Sequence, residues 1–261
     1  MSLFRIVRIV TLLIVLATTA FYSKSQQLGS RSWIEPLEVA IFPINAEASA
    51  PVKRYIDRLK QSDFADIDQF MAREGRKFTI IAQSPILTSL GPELNAKPPP
   101  PPRPDSGIAS IVWWGLRFRL WAFLNTPDSK SNKHRVRVFV HYHETAPGKR
   151  LRHSVGISKG LLGIVHAFAS TDQMPQNNII IAHELMHTVG ARDKYDSHGE
   201  PIFPEGYGDP DQTGRYPQRR AEIMAGRIAL SAMESRMATS LKEVVVGEAT
   251  AREINWIRDE I

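Results

Sequence analysis

The sequence predicts an α+β fold in which a mixed β-sheet packs on helices and one central helix carries two histidines. Three observations lead to this prediction. Apolar and polar residues alternate at 37–42 and 135–143, apolar residues recur at helical spacing between 50 and 73, and a continuous apolar stretch leads into a helix near residue 180. With 43% hydrophobic and 23% charged residues, the 261-residue chain has the composition of a globular protein with a sizeable core.

The N-terminal residues predict attachment to a membrane. Arg5 and Arg8 precede an uncharged run from Ile9 to Tyr22, which is the charge pattern of a segment inserted with its N-terminus in the cytoplasm. The run is short for a membrane span and has signal-peptide length, so a retained anchor, a cleaved signal peptide and a buried helix are the alternatives. We favour a signal anchor and linker at 1–30 and a folded domain at 31–261 on the periplasmic or extracellular side of the membrane, which would be secreted if the segment is cleaved.

The first half of the folded domain predicts a strand, two helices and a second strand. The alternating run from Leu37 to Phe42 is typical of a strand, residues 50–60 and 63–73 have helical spacing, and residues 78–86 form the next apolar run. Lys97 to Pro104 is a proline tract, which neither a helix nor a central strand admits. We therefore expect an extended connector on the surface there.

A tryptophan-rich helix is predicted next. Residues 107–123 contain Trp113, Trp114 and Trp121 at roughly helical intervals. The three rings could form an exposed membrane or substrate surface, but we favour packing in the core.

Two strands precede the central helix. Residues 135–143 alternate cleanly, with valines on one face and a wetter opposite face that includes His141 and His143. These two histidines could bind a second metal ion, but without a clear carboxylate partner we expect them to be surface residues. Residues 161–169 form the next apolar stretch.

The most informative segment is His183 to Asp193, which reads His-Glu-Leu-Met-His-Thr-Val-Gly-Ala-Arg-Asp. On a helix, His183 and His187 lie one turn apart on the same face and can reach one ion, while Glu184 is offset enough to contact a water on that ion. Gly190 is expected to end the helix in a left-handed conformation, which lets Asp193 return toward the imidazoles. Three protein ligands with an open fourth position are typical of catalytic zinc, so the segment indicates a zinc hydrolase.

The residues before this motif predict a buried helix. Ile179 to Ala182 supply an apolar body for it, and Gln176 to Asn178, after Pro175, are residue types that cap helix starts. Residues 249–261 are expected to form a closing helix, because isoleucines recur there at helical spacing.

The third ligand has several candidates. We favour Asp193, but Asp196 lies one turn further on, and Glu222 follows at a distance at which other zinc peptidases take a glutamate. His198 is a fourth candidate, although its neighbours are those of an ordinary polar turn. Two residues that could orient the ligand are Lys194 and Tyr195.

The pattern H-E-x-x-H-x-x-G-x-x-D from His183 to Asp193 resembles the metzincin clan of zinc peptidases, in the snapalysin-like variant whose third ligand is aspartate. Glu222 to Gly226 resembles the Met-turn, which in metzincins passes beneath the metal, with Met224 as its methionine. The resemblance covers residues 179–226, under a fifth of the chain.

The resemblance implies a zincin-like fold with the metal site on the central helix, and a peptide or protein substrate. Zn²⁺ held by His183, His187 and Asp193 would activate a water molecule, and Glu184 as general base would take its proton and pass it to the leaving amine. In such an architecture the last strand before the metal helix, expected at 161–169, borders the cleft, where an edge strand could pair with an extended substrate.

Some metzincins carry a tyrosine two residues after the Met-turn methionine, where it helps to stabilise the transition state. No tyrosine stands there after Met224. Tyr207 or Tyr216 could take this role, although packing is the simpler explanation for both.

Two other functions remain open at this point. Gly156 to Gly160 matches the G-x-S-x-G pattern of a serine hydrolase with Ser158 as nucleophile, but no doubly wound alternation of strands and helices surrounds it. The other alternative is an envelope protein that keeps the zinc fold and binds a partner without turnover. Glu184 argues against it, because a site that only binds metal needs no general base.

Composition and charge exclude several chemistries. The chain has no cysteine, which removes cysteine nucleophiles, disulfides and thiolate-bound zinc. The net charge is +6, with basic residues scattered at 130–137, 149–152 and 215–220. Without interleaved aromatic residues, these patches fit an anionic membrane or cell-wall surface better than a nucleic acid.

Overall fold

A mixed five-stranded sheet forms the centre of the protein, in a computed structural model that describes residues 3–78, 80–103, 105–127, 135–149, 151–157 and 161–257. The α+β class predicted from the sequence is confirmed. In chain order, the strands of this sheet are β1 (Leu37–Asn45), β2 (Ile86–Leu90), β3 (Arg135–His143), β4 (Val155–Ile157) and β5 (Leu162–Phe168).

The sheet has the spatial order β2-β1-β3-β5-β4. Its first four strands are parallel, and β4 pairs antiparallel with β5 at one edge. The strand predicted at 78–86 is wrong, since residues 76–78 form a 3₁₀ turn and pairing begins only at Ile86. Phe78 and Ile80 are apolar because they cover the core from a loop, without pairing to a strand.

One face of the sheet packs on helices to form the main core. The alternating side chains of β3 on this face, Val136, Val138, Val140 and Tyr142, are fully buried, as the sequence predicts. The α-helices after residue 31 are α2 (Ala50–Ile56), α3 (Ala65–Gly75), α4 (Ile108–Asn125), α5 (Met174–Thr188) and α6 (Glu248–Glu253), and the N-terminal helix α1 is Leu3–Ser30.

The opposite face of β3 is wetter only in part, because Arg135, Arg137 and His143 are half-buried there whereas Phe139 and His141 are buried. Helix α4 covers this face, and Phe118 packs against Phe139 with ring centroids 5.6 Å apart. Trp114 and Trp121 belong to this second core, but Trp113 points outward and is 63% exposed, so the predicted core packing is wrong for that ring.

The proline tract runs alongside α4. Residues 97–103 form neither helix nor strand, as predicted, and Pro104 lies outside the described residues. The indole N–H of Trp114 donates to the carbonyl of Pro99 at 2.9 Å, so the tract is fastened to the inner side of the helix.

The N-terminus forms helix α1 (Leu3–Ser30), so the linker expected within 1–30 is helical in this structure. Across the described ranges, no helix combines the length and apolarity that crossing a bilayer would take. The predicted membrane segment therefore stays a prediction. Just after α1, the indole N–H of Trp33 donates to the carbonyl of Ile254 at 2.6 Å.

After α5 the chain forms short strands and turns beside the main core. The closing helix predicted at 249–261 ends early, because α6 ends at Glu253 and residues 254–257 form a turn; residues 258–261 lie outside the described residues. The short strands are β6 (Ala221–Glu222), β7 (Arg227–Ala229), β8 (Ser235–Met237) and β9 (Val244–Val245), paired as β6 with β9 and β7 with β8.

Candidate metal centre

Helix α5 carries the predicted motif, but its start differs from the prediction. Pro175 lies in the first turn, where the missing N–H costs nothing, and residues 176–178 are inside the helix instead of capping it. Asn177 instead bonds the end of β5, where its side chain accepts from the Phe168 N–H at 3.2 Å and donates to the Phe168 carbonyl at 2.9 Å. The helix ends at Thr188, and Gly190 has a φ of 107°, as expected of the residue that turns the chain.

The two imidazoles face one point. The Nε2 atoms of His183 and His187 are 3.1 Å apart. Each Nδ1 lies 2.9 Å from a backbone carbonyl, that of Ile223 for His183 and that of Ala191 for His187. Because a carbonyl can only accept, each Nδ1 carries a proton, and the Nε2 atom of each ring is left to face the shared point.

Asp193 completes a triangle with these nitrogens. Its Oδ1 lies 3.2 Å from the Nε2 of His183 and 3.1 Å from that of His187. Around a tetrahedral zinc ion with bonds of about 2.0–2.1 Å, neighbouring ligand atoms are about 3.3 Å apart. Burial alone would raise the pKa of Asp193, but its hydrogen bonds to both imidazoles outweigh burial and hold the pKa well below the usual range.

Glu184 lies beside this triangle and is almost completely buried. Its carboxylate comes within 4.8 Å of the two imidazoles, so His183, Glu184 and His187 form a group that could hold a metal ion. The shorter distances from Asp193 favour that residue as the third ligand. Burial raises the pKa of Glu184 despite the nearby imidazoles, and its Oε2 has no hydrogen-bond partner within the described ranges.

The other candidate ligands are held elsewhere. Glu222 is fully buried and accepts hydrogen bonds from the N–H groups of Met224 and Gly247 and from the Thr250 hydroxyl. Asp196 accepts from the N–H groups of His198 and Glu200 in an exposed turn. These contacts explain the three residues as parts of turns, and the structure does not bring them into the triangle.

The turn from Glu222 to Gly226 lies against the site. Its Ile223 carbonyl is the one that orients His183, and its Met224 carbonyl accepts from the N–H of Lys194 at 3.0 Å. Met224 is fully buried in the main core. Glu222, which lies outside the triangle, therefore holds in place the turn whose carbonyl orients His183.

Tyr195 and Lys194 follow Asp193 and have different contacts. The Tyr195 hydroxyl lies near the Asp193 carboxylate, and the Tyr195 ring stacks beside that of His183 at 6.4 Å between centroids. Burial and the charge of Asp193 raise the pKa of Tyr195 to about 12. Lys194 is buried and its ammonium contacts Glu253 at 2.8 Å, so it fastens the loop and does not orient the ligand.

Tyr207 and Tyr216 pair with each other. Their hydroxyl oxygens are 2.7 Å apart, and the Tyr207 ring packs edge-on against Phe203. Among the described residues, the contacts of both tyrosines are those of packing residues.

Strand β4, at one edge of the sheet, runs past the site. The expectation that residues 161–169 form this edge is wrong, because β5 pairs with β3 on one side and β4 on the other. At Gly156 the strand comes so close to α5 that an added Cβ would lie 2.4 Å from the Glu184 carbonyl and 2.6 Å from the His187 Cβ. A glycine at position 156 is visible in the sequence, but the close approach of this residue to α5 depends on the fold.

Ser158, the alternative nucleophile, lies outside the described residues. The segment around it joins β4 to β5 in an antiparallel pair. A serine-hydrolase nucleophile elbow needs a helix after the serine, whereas the next element in this chain is a strand.

A second group of histidines lies at the ends of β3 and β5. His143 Nδ1 is 3.1 Å from Glu47 Oε1, and its Nε2 is 3.0 Å from His166 Nδ1. His141 is buried, which contradicts the expectation of a surface histidine, and burial lowers its pKa to about 3. Lys149 also contacts Glu47, and this competing cation favours a hydrogen-bond chain over a second metal site.

No protein-family model matches the chain, and no curated protein matches it.

Proposed function

We propose that the chain is a zinc-dependent peptidase of the metzincin type, in the variant with an aspartate as third ligand. The observation that carries this proposal is the triangle of His183 Nε2, His187 Nε2 and Asp193 Oδ1, with sides of 3.1–3.2 Å. These donors suit zinc, and both rings have their Nδ1 atoms occupied by carbonyls, as imidazole ligands do. The nearby turn at Met224 corresponds to the Met-turn of the family.

Zinc at this position would polarise the carbonyl group of the substrate and would lower the pKa of a water molecule bound to it. Glu184 is the base: its carboxylate takes a proton from the water as the water oxygen attacks the peptide carbonyl. The same carboxylic acid then gives this proton to the amine nitrogen as the C–N bond breaks. The raised pKa of Glu184 supports this role, because a base that titrates closer to neutral pH both takes and returns a proton readily.

The substrate we propose is an extended peptide. Among the described residues, β4 pairs with β5 alone, and its Gly156 lies against Glu184, so the outer edge of β4 runs beside the proposed base. A peptide that adds to this edge as a further strand would present a backbone carbonyl next to the triangle. Peptides or proteins outside the cytoplasm are the expected substrates, with α1 as a membrane attachment and no nucleic-acid partner.

Three carboxylate variants of the full chain test the proposal. Asp193→Asn should lose zinc, measured by mass spectrometry of the metal after dialysis, because a neutral amide is a poor ligand. Glu184→Gln should keep about one zinc per chain and lose peptide cleavage by about 10²-fold or more. Asp196→Asn is the matched control, since Asp196 is a nearby acid held in a turn, and it should keep both zinc and activity.

Cleavage of a mixed peptide library, read by mass spectrometry, provides the activity. A chelator should abolish it and added Zn²⁺ should restore it, while a serine-reactive phosphonate should leave it unchanged. Stoichiometric zinc without cleavage of any library peptide would favour the binding protein without turnover. Zinc retained by Asp193→Asn would contradict the proposed ligand set.

A further inference from the structure

Helix α4 exposes an apolar face that the fold leaves uncovered. Single exposed apolar residues are common, but contiguous patches beyond a few hundred Å² mark interaction sites. Eight large apolar side chains of this helix are between 48% and 82% exposed: Ile108, Ile111, Val112, Trp113, Leu116, Leu120, Phe123 and Leu124.

The exposed side chains form one face. At about 100° per residue, seven of the eight fall within about 160° of the helix circumference, and Ile111 lies outside this arc. The residues that pack on the sheet, among them Phe118 and Trp121, project from the opposite side. The helix is thus apolar on both sides, and its outer side does not contribute to the core.

The charges on this helix select the kind of surface that suits it. Arg117 is its exposed charged residue, Arg119 is half-buried, and no acidic residue occurs from 108 to 125. Arginine side chains on an apolar helix can extend their guanidinium groups to lipid phosphates, and tryptophan is enriched at the level of the headgroups. The whole chain carries a net charge of +6, which favours an anionic surface.

Helix α1 has the same character. Phe4, Leu13 and Ile14 are 58% to 78% exposed, and Arg5 and Arg8 are its basic residues near the N-terminus. Of the large apolar side chains that the described ranges leave exposed, seven lie on α1 and eight on α4. A bilayer covers two such helices without a shape-matched pocket for either, whereas a protein partner would need a groove for each.

We propose that the outer face of α4 rests in the headgroup and upper acyl region of a bilayer that contains anionic lipid. This contact is additional to any insertion of α1, and it does not depend on the metal centre. It holds the folded domain against the membrane surface, in the manner of an interfacial helix.

Trp113 provides the probe. Trp33 and Trp256 are 3% exposed, and Trp114 and Trp121 are partly buried against the sheet, so Trp113, at 63%, is the most exposed tryptophan. The full chain is mixed with vesicles of phosphatidylcholine and phosphatidylglycerol that carry brominated acyl chains. Bromine should quench the tryptophan emission, and Trp113→Phe should remove at least half of the lipid-dependent quenching.

Leu116→Glu with Leu120→Glu places two acids on the face and should reduce quenching at least twofold. Met233→Glu is the matched control, because Met233 is 89% exposed in the turn between β7 and β8 and should leave the quenching unchanged. Circular dichroism checks that both variants fold.

Two results would overturn the proposal. One is that aqueous acrylamide quenches Trp113 equally with and without vesicles. The other has two parts: brominated lipid does not quench the tryptophan emission of the unaltered chain, and an oligomer of that chain in detergent becomes a monomer in the double variant. This result would show that a second copy of the chain covers the outer face of α4. Equal quenching in vesicles of phosphatidylcholine alone would overturn the role of the arginines.

Discussion

Replacing Glu222 by glutamine tests how the turn beside the candidate metal centre is held. The Glu222 carboxylate is fully buried and is bonded by the N–H groups of Met224 and Gly247 and by the Thr250 hydroxyl. Burial raises its pKa to about 7, because removal from water outweighs these three donors. The folded chain therefore holds this proton up to a higher pH than the unfolded chain does.

The sign of the effect follows from proton binding. Between pH 4.5, the value for an unfolded glutamate, and about 7, the folded state binds the extra proton, so stability falls as pH rises through this interval. At about 1.4 kcal/mol for each tenfold change in the acid constant, the loss amounts to about 3 kcal/mol. Glu222→Gln cannot titrate, and its stability should lack this decline.

Urea unfolding of both chains at several pH values from 4 to 8 measures the difference. The free energy of unfolding should drop by about 3 kcal/mol more in the unaltered chain than in Glu222→Gln between pH 4.5 and 7. Glu243→Gln is a control, because contacts with Arg236 lower the pKa of Glu243 to about 2, so its titration lies below this interval. Parallel stability curves for Glu222→Gln and the unaltered chain would refute the reasoning.

Two further substitutions address the segment after the metal helix. Tyr195→Phe removes the hydroxyl near Asp193 and should weaken zinc binding about 10-fold to 100-fold in a chelator competition. Tyr207→Phe, whose hydroxyl pairs with Tyr216, should leave zinc binding unchanged, and equal affinities of the two variants would contradict a positioning role for Tyr195. In Gly190→Ala the alanine must adopt a φ of 107°, and its Cβ would lie 3.1 Å from the side chain of Arg31. In Gly199→Ala the φ is 81° and nothing lies within 4 Å of the added Cβ, so Gly190→Ala should lower the melting temperature more than Gly199→Ala does.

The chemistry of the candidate site is largely predictable from local sequence. Two histidines four residues apart must share a helix face, and a glycine just past the helix can reverse the chain within a few residues. The structure accordingly brings His183, His187 and Asp193 within 3.2 Å of one another. That they bind zinc stays a prediction, because spacing and geometry identify a donor set and not the ion.

The sheet edge was beyond sequence reasoning, since strand pairing is a non-local property. Strand β4 has three residues, which are too few to show any periodicity. The residues of β5 form a longer apolar run because this strand lies inside the sheet, between β3 and β4. The outer core has the same cause. The face of β3 that includes Phe139 is polar enough to predict exposure, and the helix that covers it, α4, is the preceding element of the chain, whose packing on this face no pattern within β3 reveals.

The orientation of the imidazoles shows where this limit lies within the site itself. The carbonyls of Ile223 and Ala191 direct the two rings, and every residue type has a carbonyl, so neither position carries a sequence signal. What the sequence does display is the residues that force those carbonyls into place. Gly190 turns the chain so that Ala191 meets His187, and Glu222, although outside the triangle, ties the turn that brings Ile223 to His183. A buried acid near a metal motif can therefore be essential to the geometry without contacting the ion.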